Sequence, residues 1–534
     1  MTGARTEPGA GAEHRVGRRR PEPIERMPRR RRLGVLSVVL GVAIVLTGCM
    51  PSFLNPEKPV STPTSEDVDA ALQPFYTQVL EWEQCGDELV CATATAPIDW
   101  ENPGAGEIDL ALVRHVATGD KLGSLLVNPG GPGGSGYDFI AESLDYAVGE
   151  PLKQRFDVVG FDPRGVGRSS AVACYDDEQM DEYLYGIVPA ERGSDEWVKL
   201  VGQAAGEFGE ACSANTGEML SEVDTVSAAR DLDLLRAILG DEQLNYLGYS
   251  YGTFLGATYA ELYPDKVGRL VLDGAIDPSA SDTEVTKAQA VGFEKALRAY
   301  LEDCLSGREC PFDGTVDEAM DEIGRLLASV DASPLRGTDG RMVGADTLLT
   351  AIIYPLYSAQ SWPYLSEMLE SVMLGDADYA LSFADGYNGR GEDGTYLDNS
   401  TEAFRAINCL DYTYQADVGV MREKAAAIAE AAPVIGPYFG YGDLSCVNWP
   451  YQSDRERAQI HAEGAAPILV VGTTGDPATP YEWAVALAEQ LESGVLVSYD
   501  GEGHTAYNKS NQCVNGAVEA YLIEGTVPAS DPKC

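Results

Sequence analysis

Basic residues are scarce in this 534-residue chain: 38 Lys and Arg stand against 84 Asp and Glu, a formal charge of −46. Residues 1–48 hold ten Arg, no Lys and four Glu, which leaves −52 on the rest. A surface of that sign repels phosphate backbones and argues against a nucleic-acid partner. Histidine is scarcer still, with four in all, none clustered with cysteine, and no C-x-x-C occurs. That spacing excludes the usual zinc sites. The apolar stretch from Leu33 to Leu46 is too short for a confident bilayer span. Apolar residues are not lacking: at 44% hydrophobic, the chain can bury a substantial core, and a disordered protein is excluded. Its length exceeds one ordinary domain and implies a large core domain with an insertion or a second domain.

The positive charge sits at the front. "ERMPRRRRLGVLSVVLGVAIVLTGC" is a basic run, an apolar stretch and then small residues, the pattern of an export signal. Its ending, "LTGC", resembles the bacterial lipobox. That resemblance implies acylation of Cys49 and attachment to the outer face of the cell membrane; a plain signal peptide or signal anchor is the alternative. Setting Cys49 aside leaves ten of eleven cysteines, an even number in an exported chain. Spacing suggests the local pairs Cys85 with Cys91, Cys174 with Cys212, Cys304 with Cys310, Cys409 with Cys446 and Cys513 with Cys534. Sequence alone does not settle connectivity.

After the signal (1–48), residues 49–67 are rich in Pro, Ser and Thr and read as a flexible tether. Short runs such as "IDLALVRH", "GSLLVNPGG", "FDVVGFDPRG", "LNYLGYS", "RLVLDGA", "APILVVGTTGD" and "GVLVSYDGEGH" are apolar and bounded by Gly, Asp or Pro. They read as strands, most of them buried on both faces. Helical patterns such as "TVSAARDLDLLRAILG" lie between them, so the expected fold is α/β with a mainly parallel sheet flanked by helices. The alternation spans 68–278, breaks over 279–464 into helical patterns, and resumes over 465–534. An insertion of that kind reads as a helical cap over a two-part core.

Within this frame "GYSYG" places Ser250 between Gly248 and Gly252, after a strand and before a helix. That is the setting of a nucleophile elbow, where side chains at the flanking glycines would collide with strand and helix. An ordinary glycine-rich turn is the bland alternative. A serine nucleophile needs a base, and His504 in "DGEGHTAY" follows the last expected strand; His14, His115 and His461 are worse placed. The base needs an orienting carboxylate, and Asp476 in "VVGTTGDPATP" follows the penultimate strand, with Thr479 close by. The order Ser250, Asp476, His504 is that of α/β-hydrolases. "NPGGPGGSG" offers unobstructed backbone N–H groups, and Gly131 and Tyr251 are the expected oxyanion donors. Such loops also bind phosphates, but this one lacks the Lys-Ser/Thr that follows in nucleotide sites. Asp162 and Arg164 in "FDPRGVGRSS" are expected to brace the loops.

Together "NPGGPGGSG", "FDPRGVGRS", "GYSYGT", "GTTGDPATP", "GEGHTAY" and the tail "CVNGAVEAYLIEGTVPASDPKC" resemble the α/β-hydrolases of the tripeptidyl aminopeptidase type, which are related to prolyl iminopeptidases. The resemblance covers about Leu122 to Cys534. It implies an exported serine exopeptidase acting on peptides with a free N-terminus, with Ser250, Asp476 and His504 as its triad and with no metal, cofactor or obligate protein partner. Prolyl iminopeptidases carry His before the oxyanion glycines, where this chain has Asn128-Pro129, so strict proline specificity is not implied. An aminopeptidase needs a carboxylate for the substrate's α-ammonium group, and Asp411 in "AINCLDYTYQ" is the candidate. An esterase or lipase with the same triad, and a lipid-anchored binding protein, are the competing readings.

Overall fold

The structure, a computed structural model, describes residues 59–307, 309–453 and 455–534. The expected signal segment, the lipidation candidate Cys49 and the tether as far as residue 58 lie outside the described residues.

Nine strands form one sheet. The chain supplies β1 (Glu83–Gln84), β2 (Leu89–Pro97), β3 (Glu107–His115), β4 (Gly123–Asn128), β5 (Phe156–Phe161), β6 (Leu244–Tyr249) and β7 (Val267–Asp273). A separate two-stranded ribbon, β8 (Leu335–Arg336) and β9 (Met342–Val343), precedes the last sheet strands, β10 (Ile468–Gly475) and β11 (Gly494–Glu502). The sheet order is β1-β2-β3-β5-β4-β6-β7-β10-β11, antiparallel at the β1-β2-β3-β5 end and parallel from β5 onward. β4 and β5 are buried at every position, including the polar Ser124, Asn128 and Asp157. Successive side chains of β4 serve opposite layers. Leu126 packs with Leu232, Leu235, Leu255 and Tyr259 of the helices Thr225–Leu239 and Tyr251–Leu262. Leu125 and Val127 pack with Ile140, Leu152, Val514 and Val518 of the helices on the other face.

The order β5-β4-β6 contains a topological switch. From β4 the chain steps to β5 on one side and returns to β6 on the other, so loops after β4 and β6 diverge and leave a crevice at the strand ends. Asn128 pairs with Gly248 across these strands, which brings "NPGGPGGSG" beside the Ser250 turn.

Between β7 and β10 lie the helices Asp282–Ser306, Val316–Ala332, Ala345–Leu356, Trp362–Met373, Asp378–Asn388, Ser400–Asp411 and Val418–Ala431. Most of them build their own core around Leu297, Leu327, Ile352 and Leu369. The helix Ser400–Asp411 does not join it; Ala403, Ala406 and Ile407 bury against the sheet-domain core. Disulfides join Cys85–Cys91, Cys174–Cys212, Cys304–Cys310, Cys409–Cys446 and Cys513–Cys534.

The tether expected over 49–67 ends earlier than its composition indicates. Ser61 N–H donates to Leu80 O at 3.0 Å and Thr64 N–H to Ala237 O at 2.9 Å. Glu66 accepts from Arg236 at 2.9 Å and from Lys266 at 2.8 Å. Burial pushes the Glu66 carboxyl up, but its bonds to Lys266, Thr64 and Arg236 outweigh that and hold it at about 2. A folded-state value below the ordinary 4.5 gives stability that is present above the unfolded value and lost as pH falls toward 2. Glu66→Gln should therefore lower the melting temperature at pH 7. The gap to wild type, followed by thermal unfolding at successive pH values, should close between pH 4.5 and 2.

Candidate active site

Ser250 joins β6 to the helix Tyr251–Leu262 with φ 55° and ψ −125°, a conformation that a non-glycine residue rarely adopts. Such a residue costs about 1–3 kcal/mol and persists only where its surroundings impose it. Its N–H donates to Asp273 O at 2.9 Å. The flanking glycines are required by close approach. A Cβ on Gly248 would lie 2.4 Å from Gly252 O, and one on Gly252 would lie 2.7 Å from Asn128 Oδ1.

The loop after β4 rests on this turn. Gly130 has φ +102°, and a Cβ there would meet Tyr249 O at 2.6 Å and Ser250 Cβ at 2.8 Å. Its N–H is taken by Asn128 Oδ1 at 3.0 Å. Among the described residues, the N–H groups of Gly131 and Tyr251 have no protein acceptor. Tyr251 opens its helix, where an N–H has no intrahelical partner and the positive end of the helix dipole is nearest.

Asp476 and His504 meet at the ends of β10 and β11. His504 Nδ1 lies 2.9 Å from both Asp476 carboxylate oxygens. An ionised carboxylate only accepts, so Nδ1 carries the hydrogen, and in the neutral ring it is Nε2 that has the lone pair. Asp476 is 4% exposed and is held by Ala478 N–H (3.0 Å), Thr479 N–H (2.8 Å), the Thr479 hydroxyl (3.0 Å) and Thr505 N–H (3.1 Å). Thr479 thus steadies the carboxylate through both its main-chain N–H and its hydroxyl.

The imidazole and the serine flank the same strand end. Asp273 O holds Ser250 N–H, and a Cβ on the next residue, Gly274, would stand 3.3 Å from His504 Cε1. Tyr357, at the end of the helix Ala345–Leu356, completes the setting. Its carbonyl accepts His504 N–H at 2.8 Å, and its ring meets the imidazole edge-on at 5.4 Å between centroids. Sequence reading missed Tyr357, because a main-chain carbonyl leaves no trace in residue type. It also missed Asp273, which "RLVLDGA" does signal as an acidic residue closing the apolar run Leu270–Leu272. Of the other histidines, His115 is buried on β3 beside Glu88 at 3.8 Å, and His461 Nδ1 bonds Gln490 O. His14 lies outside the described residues.

The bracing loop is saturated. Arg164, fully buried, donates to both Asp231 oxygens at 2.7 Å and to the carbonyls of Pro97, Ile98 and Glu222. Asp162 accepts from the Ser135 hydroxyl, Tyr137 N–H and Arg168 N–H.

Asp411 departs from its expected place. The carboxylate is 6% exposed, and its oxygens accept Thr225 N–H at 2.9 Å and the Thr225 hydroxyl at 2.5 Å. Burial pushes this carboxyl up to about 6, with Thr225 pulling the other way. It serves the start of the helix Thr225–Leu239, where each oxygen already accepts a bond from Thr225. Asp411→Ala would strand the Thr225 N–H, at a cost of about 1–3 kcal/mol. The expected outcome is a lower melting temperature with an unchanged ratio of kcat/KM for free and N-acetylated peptides. A collapse of that ratio would place Asp411 against the substrate after all.

Comparison with known proteins agrees with this architecture. The profile of the α/β hydrolase fold matches residues 123–319 and that of TAP-like proteins matches residues 432–534. Serine protease Hip1 of Mycobacterium tuberculosis is 35% identical over 529 residues, spanning 94% of this chain and 98% of that one. Carboxylesterase B of the same species is 38% identical over 480 residues, 86% of this chain and 91% of that one. Tripeptidyl aminopeptidase of Streptomyces lividans is 31% identical over 471 residues, 85% and 86% of the two chains. A match that runs through sheet, elbow and C-terminal strands alike makes this chain a member of the α/β-hydrolase family with a TAP-like C-terminal region, and a serine hydrolase.

Proposed function

We propose that the protein is an exported serine exopeptidase that releases short peptides from free N-termini, with Ser250 as nucleophile, His504 as general base and Asp476 as its orienting partner. The observation that carries the reading is the Asp476–His504 pair, which leaves the Nε2 lone pair available beside the strand end that holds the Ser250 turn. Nε2 takes the Oγ proton as Oγ bonds to the peptide carbonyl carbon. The carbonyl oxygen becomes an oxyanion, received by the N–H groups of Gly131 and Tyr251. Loss of one such donor costs about 10²–10³ in kcat in comparable sites. As the tetrahedral intermediate collapses, the C–N bond breaks and Nε2 returns its proton to the leaving amine. Water then repeats the cycle on the acyl-enzyme, giving its proton to Nε2 and its oxygen to the released carboxylate, and Oγ recovers the proton. The scheme calls on no metal or cofactor.

Peptides are favoured over esters by the names of two relatives, serine protease and tripeptidyl aminopeptidase, and by the acidity of the chain, which suits a cationic amino terminus. The name carboxylesterase B keeps ester hydrolysis as the second reading. For location, we propose lipid attachment at Cys49, on the strength of "LTGC" after the apolar stretch.

The mature protein, incubated with a peptide library, should yield products of one to three residues from free N-termini and few or none from acetylated ones. Ser250→Ala and His504→Ala should each lower kcat by about 10⁴-fold or more. Turnover of acyl esters alone would replace the peptidase reading with the esterase one. In a separate test, mass spectrometry of the protein expressed in an actinobacterial host should find a diacylglyceryl mass on Cys49, and Cys49→Ala should move the protein from the membrane fraction to the medium.

A further inference from the structure

We propose that Asp273 is a positioning residue that fixes the separation between nucleophile and base, an inference that rests on the Ser250–His504 reading above. Asp273 closes β7 and is fully buried. It makes two kinds of contact, each to a different catalytic loop. Its main-chain carbonyl accepts the Ser250 N–H at 2.9 Å, anchoring a residue whose backbone cannot rest in that conformation unaided. Its carboxylate accepts Ala506 N–H at 3.0 Å to each oxygen and Tyr507 N–H at 2.7 Å. These amides follow His504 by two and three residues.

The residue type is explained by the geometry it serves. Three consecutive amides after His504 turn inward: Thr505 toward Asp476, and Ala506 and Tyr507 toward Asp273. Thr505, with φ 66°, makes the bend that divides them. Two neighbouring N–H groups converging on one point need a partner with lone pairs and no hydrogens, which the carboxylate supplies on both of its oxygens. An asparagine of the same shape would turn an NH₂ toward one of them. Nothing about packing asks for a charge here, since the surrounding side chains of Leu247, Tyr249, Val271 and Val471 are apolar or aromatic. Burial pushes the carboxyl up, opposed by Tyr507 N–H, the nearby Lys509 charge and Ala506 N–H. Lys509 itself bonds the Thr505 hydroxyl at 2.6 Å. The carboxylate does not bond the imidazole; Asp476 holds that place. Asp273 therefore acts through Ser250 and His504 without touching the reacting atoms.

The test uses the full-length mature protein and its Asp273→Asn variant, assayed on a peptide p-nitroanilide, with thermal unfolding and fluorophosphonate titration of active sites run in parallel. A displacement near 1 Å at a catalytic pair costs about 10²-fold. The expected result is a fall in kcat per titrated site of about 10- to 100-fold with KM within about twofold. Unchanged kcat per titrated site overturns the proposal, and so does a loss that tracks only the folded fraction, since a purely structural residue would give that. Should the variant not fold, hydrogen exchange on the wild-type protein decides. Amides of residues 505–507 should be protected for as long as those of β7, and exchange at the rate of open loops overturns the proposal. Ser250→Ala separates the two levels of inference: turnover in that variant removes the triad itself, whereas a failure confined to Asp273→Asn leaves the triad standing.

Discussion

The hydrogen bond from Ser250 N–H to the carbonyl of Asp273 is the constraint on which the site depends. A serine at φ 55° lies outside the regions its Cβ allows, and the 1–3 kcal/mol or so that this costs must be met by groups around it. β7 provides one of them because it lies parallel to β6 in register, with Tyr249 opposite Asp273. Gly252, pressed against Asn128, and Gly130, pressed against Ser250, hold the turn from the β4 side. The strained residue is thus clamped between two neighbouring strand ends. That clamp exists only because the sheet order places β4 and β7 on either side of β6.

The inserted helices are part of this arrangement. Gly292 of the helix Asp282–Ser306 approaches so closely that a Cβ would stand 2.4 Å from Pro477 O, and Gln289 donates to Ala478 O at 3.0 Å. Both contacts fall on the turn that carries Asp476. The Tyr357 carbonyl meets the loop that carries His504, and Ser400 and Phe404 meet Gly133 of the loop after β4. A cap swinging as one rigid lid would break the His504 N–H bond to Tyr357 and expose two groups that need partners.

Much of this was legible in the sequence, for reasons particular to each element. β4, β5 and β10 are buried on both sides over most of their length, so they read as runs rich in Val, Leu, Ile or Phe. The three residues of the proposed triad each follow such a run, which is why their order along the chain carried information. β2 escaped notice, because "LVCATATAP" lies in the antiparallel part of the sheet and alternates small residues in place of an apolar block. Residues 59–67 misled by composition: Pro, Ser and Thr suit a tether, yet Glu66 finds Arg236 and Lys266, partners far away in sequence. Asp411 is the opposite case: an acidic residue near a cysteine in the cap reads as available, and only the fold reveals that each of its oxygens bonds Thr225. Long-range partners decide such cases, and local pattern does not contain them.

The buried acids are held in two ways, and the chain gives a cation to only some of them. It spends Arg164 on Asp231, where a planar fork satisfies several carbonyls as well. Nearer the catalytic loops it solvates carboxylates with backbone N–H groups and hydroxyls: Asp162 by Ser135, Tyr137 and Arg168 N–H, Asp476 by Ala478, Thr479 and Thr505, Asp273 by Ala506 and Tyr507. These amides are fixed dipoles that hold the acids in place, with the Lys509 charge also near Asp273. The same amides also set where the loops lie. In this protein, stabilising buried charge and positioning the catalytic groups are one set of hydrogen bonds.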